Sequence, residues 1–363
     1  MEYKIPVYKP LIEGNEIKYV NECLASGWIS SRGKFVEQFE QGFSDYLGEV
    51  YSTSVSNGTV ALHLALHTLG IGCGDEVIVP TLTYIASVNS IKLVGATPVL
   101  VDAEPSTWNI DCKKIEEKIN IKTKAILAVH LYGAVCDMEA LQNICKRHKL
   151  FLIEDVAEAF GSTLHGRFAG TFGDIATFSF FGNKTITTGE GGMLVSKYNH
   201  LIQRANFLKS QAVSREKEYW HDEIGFNYRM TNICAAIGLA QLEVAEEIIK
   251  KKRILASMYK EALNDVQVKF QDERVNTRHS YWMVSILTVD KSSRDNLRLH
   301  LKNEGIETRP LFYPVHKMPT FYNEEPMVVS ESLSDRGLNL PSWPGLSEDE
   351  VEFICNCIKT SLK

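Results

Sequence analysis

Between residues 55 and 195 the chain alternates short apolar runs with stretches of helical length. Runs that are nearly continuous in apolar residues are typical of parallel strands buried on both faces. These runs are DEVIVP (75–80), TPVLVD (97–102), KAILAVHL (124–131), LFLIED (150–155), ATFSFF (176–181) and GMLVS (192–196). Helical stretches between them include 59–70 and 138–149. The pattern predicts an α/β fold with a mainly parallel sheet that helices cover on both faces.

The sequence pattern changes near residue 251, which suggests that a second domain begins there. The segment KKRILASMYKEALN (251–264) has the pattern of a basic helix, and SYWMVSILTV (280–289) is another strand-like run. We predict a large domain over residues 1–250 and a smaller C-terminal α/β domain over residues 251–363.

Composition narrows the class of protein. The chain has 363 residues, 44% of them apolar, and a net charge of −6, which is unlike the basic field of a nucleic-acid binder. It shows neither the apolar core of a signal peptide nor a run of the roughly 18 apolar residues that cross a membrane. Eight cysteines are scattered without the spacing of a metal site. We expect a cytoplasmic protein with reduced thiols and no metal, no nucleic acid and no membrane among its partners.

Two candidate binding features follow strands of the first half. The tetrapeptide from Ser56 through Asn57 and Gly58 to Thr59 directly precedes an apolar helix, and the free N–H groups of such a start can bind an anion. An ordinary helix cap is the simpler interpretation. Tyr84 comes just past a strand, where it could stack on a planar ring or lie half-buried at the surface.

A sharper feature is the pair of carboxylates that ends the strand LFLIED. Glu154 and Asp155 lie at a buried edge, where an unpaired charge is costly and a partner is therefore needed. Glu158 would point toward the same place if a helix begins there. The competing interpretation is that Asp155 caps the next helix.

The segment FSFFGNKTITTGEGG (178–192) contains Ser179 and Lys184 and a glycine-rich continuation. It is not a nucleotide P-loop, because Asn183 separates Gly182 from Lys184 and the upstream glycine spacing is absent. A helix start for a phosphate, an aromatic ring, a strand-end carboxylate and a loop lysine are what pyridoxal 5'-phosphate (PLP) requires. The carboxylate would keep the pyridine nitrogen protonated, and the lysine would be the covalent anchor.

The same motifs resemble the DegT/DnrJ/EryC1/StrS family of sugar aminotransferases over nearly the whole chain. The resemblance is carried by SGWISSRGKFVEQFE (26–40), SNGTVALHLAL (56–66), GDEVIVPTLTYIAS (74–87), AVHLYG (128–133), LIEDVAEAFGS (152–162), TFSFFGNKTITTGEGGMLVS (177–196), NYRMTNICAAIGLAQL (227–242) and RPLFYPVH (309–316). It implies the aspartate-aminotransferase-like fold, PLP fold type I, for the large domain.

The resemblance also implies roles for single residues. Lys184 would form the Schiff base and Asp155 would pair with the pyridine nitrogen. The phosphate would contact Gly58, Thr59 and Ser179, and Asn57 would be a further cofactor-binding residue. Tyr84 would stack on the ring, and Asn227 would reach the phosphate from a neighbouring subunit. Glu158 stands where many members have Gln or His near the cofactor hydroxyl, so its contact is left open.

Further residues are candidates for binding the substrate. They lie in a glycine-flanked N-terminal loop, in the segment YWHDEIGFNYRMTN and in the RPLFYPVH motif: Trp28, Ser31, Arg32, Lys34, His221, Arg229, Arg309 and His316. Arg32 and Lys34 could pair with a nucleotide diphosphate or be solvated surface charges, and His316 could be an ordinary loop histidine.

Because the chain keeps a lysine where dehydrating relatives have histidine, the resemblance implies transamination. L-Glutamate would donate the amino group and a nucleotide-linked 4-keto-6-deoxy sugar would accept it. The segments FFGNKTITTGEGG, YWHDEIGFNYRMTN and LNLPSWPGLS resemble members that act on GDP-4-keto-6-deoxy-D-mannose for surface polysaccharide such as O-antigen. A dTDP- or UDP-linked sugar stays open, as does a non-catalytic regulatory protein of the same fold. A dinucleotide-binding protein is disfavoured, because G-x-G-x-x-G is absent after the first strands. We expect a homodimer with shared active sites, with tetramers left open.

Overall fold

The computed structural model describes residues 3–48, 50–214 and 216–362. Its strands are β1 (Tyr51–Val55), β2 (Glu76–Pro80), β3 (Thr97–Val101), β4 (Thr123–Val129), β5 (Phe151–Asp155), β6 (Thr163–Leu164), β7 (Arg167–Phe168), β8 (Ile175–Ser179), β9 (Gly192–Ser196), β10 (Lys269–Phe270), β11 (Thr277–Arg278), β12 (Val284–Leu287), β13 (Arg309–Pro310) and β14 (Gly337–Leu340). Its α-helices are α1 (Glu16–Ser26), α2 (Lys34–Leu47), α3 (Gly58–Thr68), α4 (Ile85–Leu93), α5 (Met138–His148), α6 (Asn199–Lys209), α7 (Asn232–Glu243), α8 (Ala245–Ala262), α9 (Lys291–Asn303), α10 (Val328–Arg336) and α11 (Glu348–Leu362).

The central sheet has seven strands in the order β1-β9-β8-β5-β4-β2-β3. Neighbouring strands from β3 to β8 pair in parallel, whereas β9 runs antiparallel to both β8 and β1. One face packs against α2, α5 and α7, and the other against α3, α4 and α6. Successive residues of β2 alternate between the two cores, with Ile78 in the first and Val77 and Val79 in the second. The predicted mainly parallel sheet with helices on both faces is therefore confirmed.

A smaller antiparallel sheet has the order β10-β12-β14-β13 and shares a core with α8, α9 and α11. Ile5, close to the start of the chain, joins this core and forms a bridge with Ile306. A third sheet, β11-β6-β7, lies apart from both. Within the described ranges, no helix combines the length and apolar character needed to cross a membrane.

The six strands predicted in the large domain are present. The two-residue strands β6 and β7 were not predicted, and neither was the longer β1. Its sequence, YSTSV, is rich in hydroxyl side chains and lacks an apolar run, so only its pairing with β9 reveals it. The run predicted at 280–289 forms a strand only at Val284–Leu287. Tyr281 has a left-handed backbone (φ 49°), which interrupts an extended conformation before that point.

The basic helical pattern at 251–264 belongs to α8, which already begins at Ala245. The domain boundary predicted between residues 250 and 251 therefore falls inside a continuous helix. The division into two domains stays a prediction, and the helix would be the element that joins them.

The carboxyl ends of the parallel strands lie at one edge of the central sheet. Asp155 is the last residue of β5, and Ser179 is the last residue of the neighbouring β8. Such an edge is where open α/β sheets bind ligands, because the loops that follow the strands meet there.

Candidate active site

The start of α3 forms an anion site at this edge. The side chain of Asn57 accepts a 2.9 Å hydrogen bond from Val60 N, while the N–H groups of Gly58 and Thr59, in the first turn, have no partner within the helix. Gly58 lies against β8: a Cβ atom on it would be 2.7 Å from Cβ of Ser179. The absence of a side chain on Gly58 thus lets the helix start approach Ser179. The same helix start is both capped by Asn57 and open to an anion, so the two interpretations of the sequence are compatible.

The Asp155 carboxylate is only 4% exposed and is held by neighbours on two sides. Ser87 Oγ donates to its Oδ2 across 2.7 Å, and Ala157 N donates to its Oδ1 across 3.1 Å. Burial raises the pKa of Asp155, and these hydrogen bonds and Lys184 oppose that rise. A cation placed beside Asp155 would favour the charged carboxylate.

Glu154, the other carboxylate of the strand end, has a structural role. His130 Nδ1 accepts from Cys136 N, so its Nε2 carries the proton and donates to Glu154 across 3.0 Å. The remaining donors to Glu154 are backbone N–H groups, those of Gly170, Phe172 and Gly173. Glu154 therefore fixes the loop before β8 and has no free oxygen for a ligand.

Lys184 lies in the irregular segment after β8 and extends into the cleft. Burial lowers the pKa of its amine, while the negative charges of Glu158 and Asp155 oppose that change. A buried amine with a lowered pKa is present more often as the neutral base, which is the form that reacts with an aldehyde and accepts protons.

Glu158 is 4% exposed and its Oε2 accepts a 2.8 Å hydrogen bond from Tyr132 N. Burial raises the pKa of Glu158 to about 7, although Lys184 and the Tyr132 N–H favour its charged form. Its protonation state therefore changes near neutral pH.

Asp155, Glu158, Lys184 and the start of α3 line a cleft of ≈ 590 Å³. Tyr84, Phe312 and Trp282 line this cleft, and the buried Tyr132 stacks on both Phe312 and Trp282. Neighbouring ring centroids in this series, from Tyr84 through Phe312 and Tyr132 to Trp282, are 5.2–6.1 Å apart. Tyr84 is 56% exposed and Trp282 is buried. The predicted residues that share this cleft are Asn57, Gly58, Thr59, Tyr84, Asp155, Glu158, Ser179, Lys184 and Arg309.

Other predicted residues lie outside this cleft. Trp28, Ser31, Arg32 and Lys34 border a separate depression beside α2. His221, Asn227 and Arg229 lie in the segment before α7, where Asn227 is exposed.

His316 is fully buried and also lies outside the cleft. Its Nδ1 is 2.8 Å from Thr81 Oγ1, and its Nε2 is 3.1 Å from Glu331 Oε1. Both ring nitrogens are thus bonded within this chain, and a substrate contact by His316 stays a prediction.

Several cleft residues were not singled out from the sequence. Ser87 could have been found, because it lies three residues after Tyr84 on α4, one turn along the same helix face. Trp282 and Phe312 carry no such local signal, and neither does the buried Tyr132 that they stack on, since the three come from segments far apart in the chain.

A family model for the DegT/DnrJ/EryC1/StrS aminotransferases matches residues 10–359 of this chain. The chain belongs to this family. It is 56% identical over 361 residues to the GDP-perosamine synthase of Escherichia coli O157:H7, covering 99% of this chain and 98% of that protein. It is 51% identical to the GDP-perosamine synthase of Vibrio cholerae, covering 98% of each. The solved structure of the aminotransferase TlmJ from Streptoalloteichus hindustanus has a TM-score of 0.94 at 31% identity and covers 99% of this chain and 98% of that chain.

Members of the DegT/DnrJ/EryC1/StrS family use PLP, and this chain is a PLP-dependent aminotransferase. Its cleft fits the cofactor at three points. The free N–H groups of the α3 start suit the phosphate, the buried Asp155 suits a protonated ring nitrogen, and Lys184 supplies the amine.

Proposed function

We propose that the chain transfers the amino group of L-glutamate to GDP-4-keto-6-deoxy-D-mannose and forms GDP-perosamine and 2-oxoglutarate, for use in a surface polysaccharide such as O-antigen. The names of the two relatives that are 56% and 51% identical to the chain support the choice of substrate. The observation that carries the chemistry is a lysine amine of lowered pKa that shares a cleft with two buried carboxylates.

In this proposal the residues of the cleft divide into binding and proton-transfer groups. The N–H groups of Gly58 and Thr59, with the Ser179 hydroxyl, bind the phosphate. Asp155 holds a proton on the ring nitrogen, since a negative charge next to that nitrogen favours its charged form. Tyr84 contacts the face of the ring.

PLP, when bound, carries the amino group from donor to acceptor and withdraws electrons from the reacting carbon. Lys184 anchors it and, once released, moves a proton to and from the reacting carbon. Burial suits the amine to this task, because it brings the pKa closer to the pH at which the enzyme works. The negative charge of Glu158 favours the charged form of Lys184 and so limits how far burial lowers the pKa of the amine.

Arg309 is the candidate for an anionic group of the substrate. It lines the cleft, its side chain is largely exposed, and it is 3.1 Å from a carboxylate oxygen of Glu307. A substrate carboxylate or phosphate could replace that partner at small cost, because an exposed ion pair contributes little to stability.

We also propose a homodimer in which each chain completes the cleft of the other. The residues that lie outside the cleft of their own chain, Asn227 and the Trp28–Lys34 loop among them, would reach the partner's cofactor and nucleotide. Large exposed apolar side chains in the same two regions, Trp28, Ile29, Trp220 and Ile224, agree with a covered surface. The eight free cysteines agree with a reducing cytoplasm.

The substrate is tested with PLP-loaded protein and L-glutamate. The three acceptors are GDP-4-keto-6-deoxy-D-mannose and the dTDP- and UDP-linked 4-keto-6-deoxy-D-glucoses, and 2-oxoglutarate release is measured for each. We expect the highest kcat/KM with the GDP sugar, and faster turnover of either other sugar would overturn the substrate assignment. Lys184→Ala is the control, and its visible spectrum should lack the band of lysine-bound PLP.

Shared active sites are tested by mixing two impaired chains. Lys184→Ala and Asn227→Ala homo-oligomers should each be nearly inactive. If Asn227 acts across the interface, one site of the mixed dimer has a wild-type Lys184 and a wild-type Asn227, and activity returns. No recovery in a verified mixed dimer would contradict the proposal.

A further inference from the structure

Two aromatic residues from distant parts of the chain hold the backbone at Lys184. The Tyr8 hydroxyl donates a hydrogen bond to the carbonyl oxygen of Lys184. The Trp282 indole Nε1–H donates to the carbonyl oxygen of Asn183 across 2.6 Å. Two successive carbonyls are thus bound by side chains that lie 176 and 99 positions away from them in the sequence.

Trp282 also contacts the amine itself. Lys184 Nζ lies 3.9 Å from the centroid of the Trp282 ring, within the range of a cation–π interaction. The negative face of the indole favours the ammonium form, and so acts against the effect of burial on the same amine.

The segment around Lys184 needs such support because it is irregular. Lys184 N donates to Phe181 O in a turn, and the segment between β8 and β9 pairs through an isolated bridge of Phe181 with Gly189 and not through a strand ladder. A carbonyl group in such a segment must find a partner outside secondary structure.

Both aromatic residues are themselves held in place. The Trp282 ring stacks on Tyr132 with an interplanar angle of 11°. Burial raises the pKa of Tyr8, so its hydroxyl stays protonated and remains a donor. Lys252 Nζ lies 5.2 Å from the centroid of the Tyr8 ring.

We propose that Tyr8 and Trp282 form an aromatic clamp that positions the Lys184 amine for its reaction. The inference rests on the proposed role of Lys184 as the anchor. The clamp residues are positioning residues: they set where the amine lies and how readily it gives up its proton.

The first test uses cofactor-free protein, so that the readout does not depend on activity. Lys184 is labelled with acetic anhydride over a range of pH, and its labelled fraction is measured by peptide mass spectrometry. Trp282→Leu removes the ring face, so we expect the labelling midpoint of Lys184 to fall, with about a tenfold change in the ammonium–amine ratio. Trp282→Phe keeps a weaker face and should shift the midpoint less. Trp343→Leu is the control, because Trp343 lies under a different lysine, Lys9.

The backbone bonds are tested by hydrogen exchange of the peptide that covers residues 181–188. Tyr8→Phe and Trp282→Phe should each speed exchange there. The matched control is Tyr259→Phe, because the buried Tyr259 hydroxyl also donates to a backbone carbonyl, that of Pro341, away from Lys184. An unchanged midpoint together with unchanged exchange would overturn the clamp.

A separate measurement distinguishes the failure of the clamp from the failure of the anchor. Wild-type protein is loaded with PLP, reduced with borohydride and mapped by mass spectrometry. An adduct on another lysine would overturn the role of Lys184 and the purpose of the clamp with it. If the adduct is on Lys184, but the clamp variants leave the labelling midpoint and the hydrogen exchange unchanged, the clamp alone is overturned.

Discussion

The backbone N–H of Tyr132 donates to the carboxylate of Glu158 across 2.8 Å, and Tyr132 adopts a left-handed backbone (φ 55°) at that point. The bond fixes a carboxylate that has little contact with water beside the reactive amine. Burial of this group has consequences for stability that can be measured.

Glu158→Gln should stabilise the cofactor-free protein, and more so as the pH rises. The folded pKa of Glu158 is about 7, above its ordinary value of 4.5, so the folded state binds more protons than the unfolded state between these values. The wild type therefore loses stability as the pH rises from 4.5 to 7, by at most about 3 kcal/mol. Urea unfolding at pH 5 and pH 8 measures the difference. Glu190→Gln, which removes an exposed carboxylate of the same cleft, is the control, and its stability should differ little from that of the wild type at either pH.

Asp155→Asn should keep the fold and lose most of the activity. The amide oxygen can still accept from Ala157 N, and the amide NH2 can donate to the Ser87 hydroxyl in place of the lost bond, but the side chain carries no charge to hold a proton on the ring nitrogen. We expect kcat to fall by at least about 100-fold, as for other lost electrostatic contacts in active sites. Ser87→Ala leaves the carboxylate in place and should cost much less. Comparable losses in both variants would argue that Asp155 acts only through its hydrogen bonds.

Gly58→Ala should weaken PLP binding by about tenfold or more, because its Cβ would lie 2.7 Å from Cβ of Ser179 and push the helix start away from the strand. Cofactor affinity is measured by titrating apoprotein and following the visible band. Gly182→Ala in the same region is the matched control, since its Cβ would meet nothing within 4 Å. The double variant Gly58→Ala/Ser179→Gly should recover part of the loss. Equal affinity in the Gly58 and Gly182 variants would contradict the close approach.

Lys252→Met should alter how stability changes at alkaline pH. Burial lowers the pKa of Lys252 from 10.5 to about 7, so the unfolded state binds more protons between these values. The wild type should therefore gain stability relative to the variant as the pH rises through this window, by about 1.4 kcal/mol per pH unit at most. Thermal or urea unfolding at pH 7.5 and 9 measures it. Lys250→Met, an exposed position on the same helix, should run parallel to the wild type. If the stability of the wild type relative to Lys252→Met stayed constant or decreased as the pH rises, the prediction would be wrong.

The sequence predicts much of the large domain because its strands are buried on both faces and therefore read as apolar runs. It misses β1, whose hydroxyl side chains are stabilised by partners such as Glu40, which accepts from Ser54. Asp155 and Lys184 are predictable because Asp155 ends a recognisable strand and Lys184 follows another. Trp282 and Tyr8 are not, because their meeting with the lysine segment depends on how the C-terminal sheet and the first residues pack onto the large domain.

The cleft is assembled from both ends of the chain: Tyr8 holds Lys184, whereas Trp282, Arg309 and Asn339 belong to the last quarter of the sequence. During synthesis, the ribosome would release the anchor lysine and the phosphate site well before the residues that close around them. A nascent chain that ends before residue 339 thus lacks part of the wall of its cofactor pocket. Capture of PLP should accordingly be a late event in the maturation of this enzyme, after translation is almost complete.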